Sequence, residues 1–226
     1  KKGKDAELVT QYEMHTVEQL GLLKMDFLGL RNLSIIDRTV ELINKDEFNI
    51  DQIPLSDEKT FELFSSGRMI GVFQLESRIA QITSRSLKPK RFEDIVALVA
   101  LIRPGPLGAN MHIEFADRAT GKKEIEFLHE DLKVILEETY GVILYQEQVM
   151  QIAQRISGFQ LDEADDLRKA MGKKIPKVME QQRKKFTDGA IKKGYSEQFS
   201  VELFDQIAFF AGYGFNKSHS VPYALI

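Results

Sequence analysis

The sequence predicts a mainly α-helical fold with a small β contribution near the N-terminus. Two observations carry the helical part. Apolar residues recur at helical spacing through most of the chain beyond residue 34, and Gly, Pro, Ser or Asn stand where those runs would stop and start. A third carries the β part: residues 22–28, a short apolar stretch bounded by glycines, suit a strand.

In that strand Leu23, Met25 and Phe27 share one face and can enter a core, while Leu22, Lys24, Asp26 and Leu28 share the other. Gly29 ends it, and Asn32 or Ser34 is placed to cap a helix beginning at Ile35. Residues 34–140 read as short helices in linkers. Ser56 is a plausible N-cap, with Lys59 where a capping box would have an acid. Residues 91–102 form a strongly apolar helix stopped by Arg103-Pro104-Gly105-Pro106, a sharp turn because proline disfavours helix before it. Residues 129–136 give another short helix.

Long helices follow. One spans 143–156 and is amphipathic. The next spans 161–171, with Gly172 as the residue that ends it. Pro176 suits the first turn of a helix reaching about Lys193, closed by Gly194. Ser196 caps a helix over 197–211. A turn at Gly212-Tyr213-Gly214-Phe215 leads to Asn216 or Ser218, which starts the last helix.

The 226 residues allow one to two domains, and 43% hydrophobic with 29% charged residues reads as a soluble globular chain. The chain has no cysteine, which excludes disulfides, Cys-based zinc sites and thiol catalysis and fits a cytoplasmic setting. No apolar run approaches the roughly 18 residues of a membrane span, and no signal peptide is present. A start without Met and an apolar end read as a piece of a longer protein. The net charge of −3 hides a basic block: 168–193 holds ten Lys or Arg against Glu180 and Asp188. Such a block on an acidic chain suits a polyanion, or a solvated helix face.

Several residues could carry chemistry. Asp26, with Lys24 beside it on one strand face, offers a hard oxygen ligand for a metal and a cation for a phosphate, or a local ion pair. Arg103, held at a rigid turn, suits bidentate phosphate binding or a helix C-terminus. Arg168, Lys169, Lys173 and Lys174 put four cations in seven residues with no acid among them. Residues 212–220 combine a glycine-rich turn, two aromatics and a helix start with Asn216, Lys217 and His219, a setting for an anion and a stacked base or simply a capped connection. The spacing is not that of a Walker A loop, and the four histidines show no zinc pattern. Residues 140–148 read most simply as packing.

Six stretches in this order resemble the C family of bacterial replicative DNA polymerases, the DNA polymerase III α subunits, in their DnaE type. They are Leu23-Lys24-Met25-Asp26-Phe27-Leu28-Gly29-Leu30, Val72-Phe73-Gln74-Leu75-Glu76-Ser77, and Ala97-Leu98-Val99-Ala100-Leu101 running into Arg103-Pro104-Gly105-Pro106. Tyr140-Gly141 through Tyr145-Gln146-Glu147-Gln148-Val149-Met150, Leu167-Arg168-Lys169-Ala170-Met171-Gly172-Lys173-Lys174, and Ala211-Gly212-Tyr213-Gly214-Phe215-Asn216-Lys217-Ser218-His219-Ser220 complete the series. The resemblance covers nearly all of the chain beyond about Val9.

It implies that residues 1–33 end the palm and 34–226 form most of a helical fingers domain. Asp26 matches the third of three catalytic aspartates that hold two Mg²⁺ ions, and Lys24 a phosphate-contacting lysine. Arg103, Arg168, Lys169, Lys173, Asn216, Lys217 and His219 fall in motifs expected to bind the incoming deoxynucleoside triphosphate. The implied reaction adds a deoxynucleotide to a primer 3′-OH in the bacterial cytoplasm. Primer-template DNA, deoxynucleoside triphosphates, a sliding clamp and other replisome subunits would be partners, with no membrane involved. The Pro-Asp-x-Asp-x-Asp motif of the other two aspartates is absent from these residues. The chain alone is therefore expected to be inactive. The alternative is a non-enzymatic DNA- or nucleotide-binding helical module.

Overall fold

The computed structural model describes residues 9–23, 25, 29–43, 48–173, 176–211 and 213–226, with the backbone alone for Lys173 and Ala211. The chain divides into two compact units, Lys1–Phe48 and Asn49–Ile226.

In the first unit, α1 (Met14–Gln19) is capped by the Glu13 carboxylate, which accepts from the backbone N–H of His15 and Thr16. α2 (Arg31–Ile43) is amphipathic but has no buried residue. It starts before Asn32 and Ser34, so neither is its cap. The β contribution expected at 22–28 is not found among the described residues. Leu22, Leu23 and Met25 take neither helix nor strand, and Lys24, Asp26, Phe27 and Leu28 lie outside the description. The face expected to pack inward is open, with Leu23 at 83% exposure and Met25 at 63%. A strand is stable only against neighbours, and no second strand is described in this unit.

The second unit is helical and built around two apolar cores. α3 (Glu58–Ser66) is capped by Asp57 rather than Ser56: the carboxylate accepts from Thr60 N and Oγ1, both at 2.8 Å. Gly67 ends α3 at φ +70°. α4 (Arg78–Leu87) starts at Ser77, whose hydroxyl accepts from Ala80 N. The apolar α5 (Phe92–Leu101) lies inside the predicted 91–102 helix, and its first turn is held by buried Asp94. Arg103-Pro104-Gly105-Pro106 is both a turn and a helix start. Arg103 is extended, and Pro104 occupies the first position of α6 (Pro104–Gly108), where a missing N–H costs no hydrogen bond. α7 (Met111–Ala119) buries Met111, Phe115 and Ala116 against α4. These helices enclose the first core.

The second core begins at the predicted 129–136 helix, which is a 3₁₀ turn at Glu130–Leu132 followed by α8 (Lys133–Leu136). α9 (Gln146–Ser157) starts three residues later than expected because 142–144 are not helical and Tyr145 is extended. α10 (Leu161–Lys173) runs through Gly172, which has no left-handed φ and ends nothing. Met171 beside it is buried in the second core, which keeps that turn helical. α11 (Pro176–Lys192) crosses α9 so closely that a Cβ on Gly189 would lie 2.3 Å from the Ser157 carbonyl oxygen. Phe186 of α11 sits between Phe159, edge-on at 6.2 Å, and Phe204, tilted at 5.5 Å between ring centroids. Gly194 closes α11 at φ +96°, and Ser196 caps α12 (Glu197–Ala211) by accepting from Phe199 N. α13 (Lys217–Leu225) is capped by Asn216 and packs on α5.

Candidate nucleotide site

The two cores meet along 142–145. Val142 and Leu144 enter the first core and Ile143 the second, and Tyr145 turns back into the first core at the start of α9. Tyr145 forms a parallel bridge with Phe215. Phe215 N donates to Leu144 O at 3.1 Å, and Gln146 N donates to Phe215 O at 2.9 Å. The turn after α12 is thereby pinned to the start of α9. That turn also lies flat against α6: a Cβ on Gly105 would sit 2.3 Å from Tyr213 Cδ1, so only glycine fits there.

Around this bridge stand residues from four distant stretches. The Arg103 guanidinium lies 4.7 Å over the Phe215 ring. It is exposed and makes no ion pair with a described residue. From Phe215 a row of rings continues through His219 and Tyr223 to Phe73, at centroid spacings of 5.6, 4.5 and 5.3 Å. Phe73 belongs to the loop at 71–77, where the Gly71 N–H donates to Glu76 Oε1 at 2.7 Å. The row is half-exposed and offers π surface with a cation at one end.

The start of α13 is held from below. Asn216 Oδ1 accepts from His219 N at 3.0 Å, and the Glu147 carboxylate accepts from Lys217 N at 3.0 and 3.1 Å. The Lys217 ammonium donates to Glu138 at 2.5 Å and sits 5.5 Å over the Tyr145 ring. Buried Ser220 donates to Val96 O at 2.6 Å, locking α13 to α5. Burial, with Glu138 and Glu147 adding to it, pushes the Tyr145 phenol far up, so the hydroxyl stays neutral. Asn216 and Lys217 thus have structural partners already, whereas His219 and Arg103 face outward.

On α10, Arg168 and Lys169 converge on one acid. Arg168 Nη2 lies 2.8 Å and Lys169 Nζ 2.7 Å from the Asp165 carboxylate. Lys169 and then Arg168 hold that carboxyl below the usual range, and Asp165 raises Lys169 in turn. Arg168 Nη1 also reaches Gln146 Oε1 at 3.5 Å. Gln146, Val149, Arg168, Lys169, Met171, Gly172 and Gly214 enclose a recess of about 180 Å³. Lys173 closes α10, its side chain outside the description.

The structure therefore gathers Arg103, Arg168, Lys169, Asn216, Lys217 and His219 about the Tyr145–Phe215 bridge, while Lys24 and Asp26 lie outside the described residues. Reasoning from sequence missed Gln146, Glu147 and Asp165. Asp165 was legible, because an acid three and four residues before two cations shares their helix face. Gln146 and Glu147 gave no local signal, since their partners are 22 and about 70 residues away. A cavity of about 1230 Å³ between α7 and α12 is lined by none of Arg103, Arg168, Lys169, Asn216, Lys217 and His219. Among the described residues no three His, Cys, Asp or Glu side chains cluster as metal ligands, and no helix is long and apolar enough to cross a membrane.

The site is thus a helical scaffold on which cations and rings from distant stretches converge on one bridge. Residues 32–194 match the bacterial DNA polymerase III alpha subunit finger domain, and the chain belongs to that family. DNA polymerase III subunit alpha of Escherichia coli (strain K12) is 50% identical over 230 residues, covering 96% of this chain and 20% of the relative. Proteins of the same name from Bacillus subtilis (strain 168) and Campylobacter jejuni are each 48% identical over 228 and 229 residues, covering 100% of this chain and 20% and 19% of theirs. The chain spans about a fifth of the length of the curated relatives it matches.

Proposed function

We propose that this chain is the part of a replicative DNA polymerase catalytic subunit that receives the incoming deoxynucleoside triphosphate. The observation that carries this reading is the convergence of Arg103, Arg168, Lys169 and the α13 turn, distant in sequence, on the Tyr145–Phe215 bridge. The reaction is templated addition of a deoxynucleotide to a primer 3′-OH with release of pyrophosphate.

In this reading Arg168 and Lys169 exchange Asp165 for the triphosphate. Arg168 is half-buried and Lys169 exposed, and both are held within reach of the recess, so little reorganisation is needed. Arg103 adds a cation above Phe215, and the half-exposed rings offer a face for a base. Residues 1–33 would contribute to the palm and 34–226 to the fingers. The resemblance implies two Mg²⁺ ions, with Asp26 among the residues that would hold them, which would supply Lewis-acid chemistry for the transfer. Among the described residues no three His, Cys, Asp or Glu side chains fit such a site. Asp26 as a metal ligand and Lys24 as a phosphate contact rest on the motif match alone, as do the sliding clamp and other replisome partners and the cytoplasmic setting.

The test is binding of a deoxynucleoside triphosphate with Mg²⁺ to the chain across salt, in wild type, Arg168→Ala and Lys173→Ala. Weak, salt-sensitive binding that either substitution abolishes supports the reading, as does its occurrence without primer extension by the chain alone. Binding undiminished in both folded variants would overturn the placement of the triphosphate on α10.

A further inference from the structure

We propose that Gln146 is a positioning residue that sets Arg168 against the Gly214–Phe215 turn, so that phosphate and nucleoside are held in one geometry. This rests on the nucleotide-binding reading above. Arg168 has two sets of bonds. Those to Asp165 come from three residues earlier on the same helix and fix the guanidinium only relative to α10. The contact to Gln146 Oε1, at 3.5 Å, is its one polar link to another element among the described residues. The other end of the same amide, Nε2, donates to Gly214 O at 3.2 Å. The backbone N–H of Gln146 donates to Phe215 O at 2.9 Å.

One residue therefore touches both walls of the 180 Å³ recess and anchors the turn that carries Phe215. Gln146 stands at the first position of α9, where its N–H has no partner within the helix and is free to take the Phe215 carbonyl. The chemistry needs an amide. It must accept from a guanidinium at one end and donate to a carbonyl at the other, which a neutral amide does and a carboxylate cannot. A Glu here would leave the Gly214 carbonyl without its donor and would compete with phosphate for Arg168. Gln146 touches no reacting atom in this arrangement, so its loss should weaken nucleotide binding rather than the chemical step.

The experiment measures steady-state incorporation by the whole polymerase subunit carrying this chain. The variants are Gln146→Ala, Gln146→Met, Gln146→Glu and Arg168→Ala, with the Gln146→Ala/Arg168→Ala pair. Expected are a KM for deoxynucleotide raised about tenfold in Gln146→Ala with kcat nearly unchanged, and a larger rise in Gln146→Glu. Gln146→Met, which keeps the volume, should match Gln146→Ala. The double variant should be no worse than Arg168→Ala alone, because a residue acting through another adds nothing once that partner is gone. A wild-type KM in Gln146→Met, or an additive double variant beside a damaged Arg168→Ala, would overturn the role of Gln146 while leaving the nucleotide reading intact. An unchanged KM in Arg168→Ala overturns both.

Discussion

At the scale of single residues, burial decides which polar groups are fixed and which stay available. Asp94, buried at the start of α5, accepts from Lys90 N, Arg91 N, Arg91 Nε and the Tyr140 hydroxyl. Burial and that bond to Asp94 push the Tyr140 phenol up to about 12. His112 on α7 is the opposite case. Its Nδ1 is buried without a partner, and burial lowers its pKa despite a hydrogen bond to the Pro106 backbone. The folded pKa lies below the unfolded value, so as pH falls the unfolded chain takes up the proton first. The associated stability is complete above the ordinary His value of 6.5 and is lost as pH falls through it, levelling off below the folded pKa. The expected outcome is that melting temperature drops less between pH ~7.5 and pH ~5.5 in His112→Gln than in wild type. Equal pH dependence in the two proteins would show that this histidine does not titrate on unfolding.

At the scale of elements, α11 shows how a charge block resolves once folded. Arg183 pairs with Asp205, Lys185 with Glu163 at 2.7 Å, and Lys193 donates to Arg155 O at 2.5 Å. Lys177, Lys184 and Lys192 make no ion pair with a described residue. Replacing Lys184 and Lys192 by Glu should weaken DNA binding about equally across sequences, and the slope of log K against log salt should fall by about one per lysine. A slope unchanged in the double variant would return α11 to a solvated face. Element boundaries were legible where a side chain caps locally, as at Ser196 and Asn216, and illegible where tertiary contacts decide. The late start of α9 is set by the Tyr145–Phe215 bridge. The persistence of α10 through Gly172 follows from burial of Met171. α4 and α7 were not placed individually within 34–140, a stretch expected to hold short helices in linkers, because their buried faces are short.

At the scale of the helical unit 49–226, stability depends on how the two cores are joined. Gln148, 1% exposed, does this with all its bonding capacity. Its Oε1 accepts from Leu144 N and Tyr145 N at 2.9 Å, and its Nε2 donates to Ile135 O at 3.3 Å and Thr139 Oγ1 at 2.8 Å. Gln148→Leu would strand two buried N–H donors in the segment that both cores share. The expected cost is about 3 kcal/mol, seen as a lower midpoint of one cooperative denaturant transition. Two separated transitions, only one of them shifted, would mean that the cores melt independently.

The sequence by itself determined the helical class, most of the helices from 91 onward, the family, and the cations at Arg103, Arg168 and Lys169. Each of these is written in local spacing or in contiguous motifs. Only the tertiary structure decided that these cations surround one bridge, that Lys217 turns toward Glu138 while His219 faces out, and that Gln146 joins Arg168 to the Gly214 turn. Those contacts link residues 22 to about 80 positions apart. They exist only once the helices have packed, because hydrogen bonds of that range have no counterpart in the periodicity of the chain.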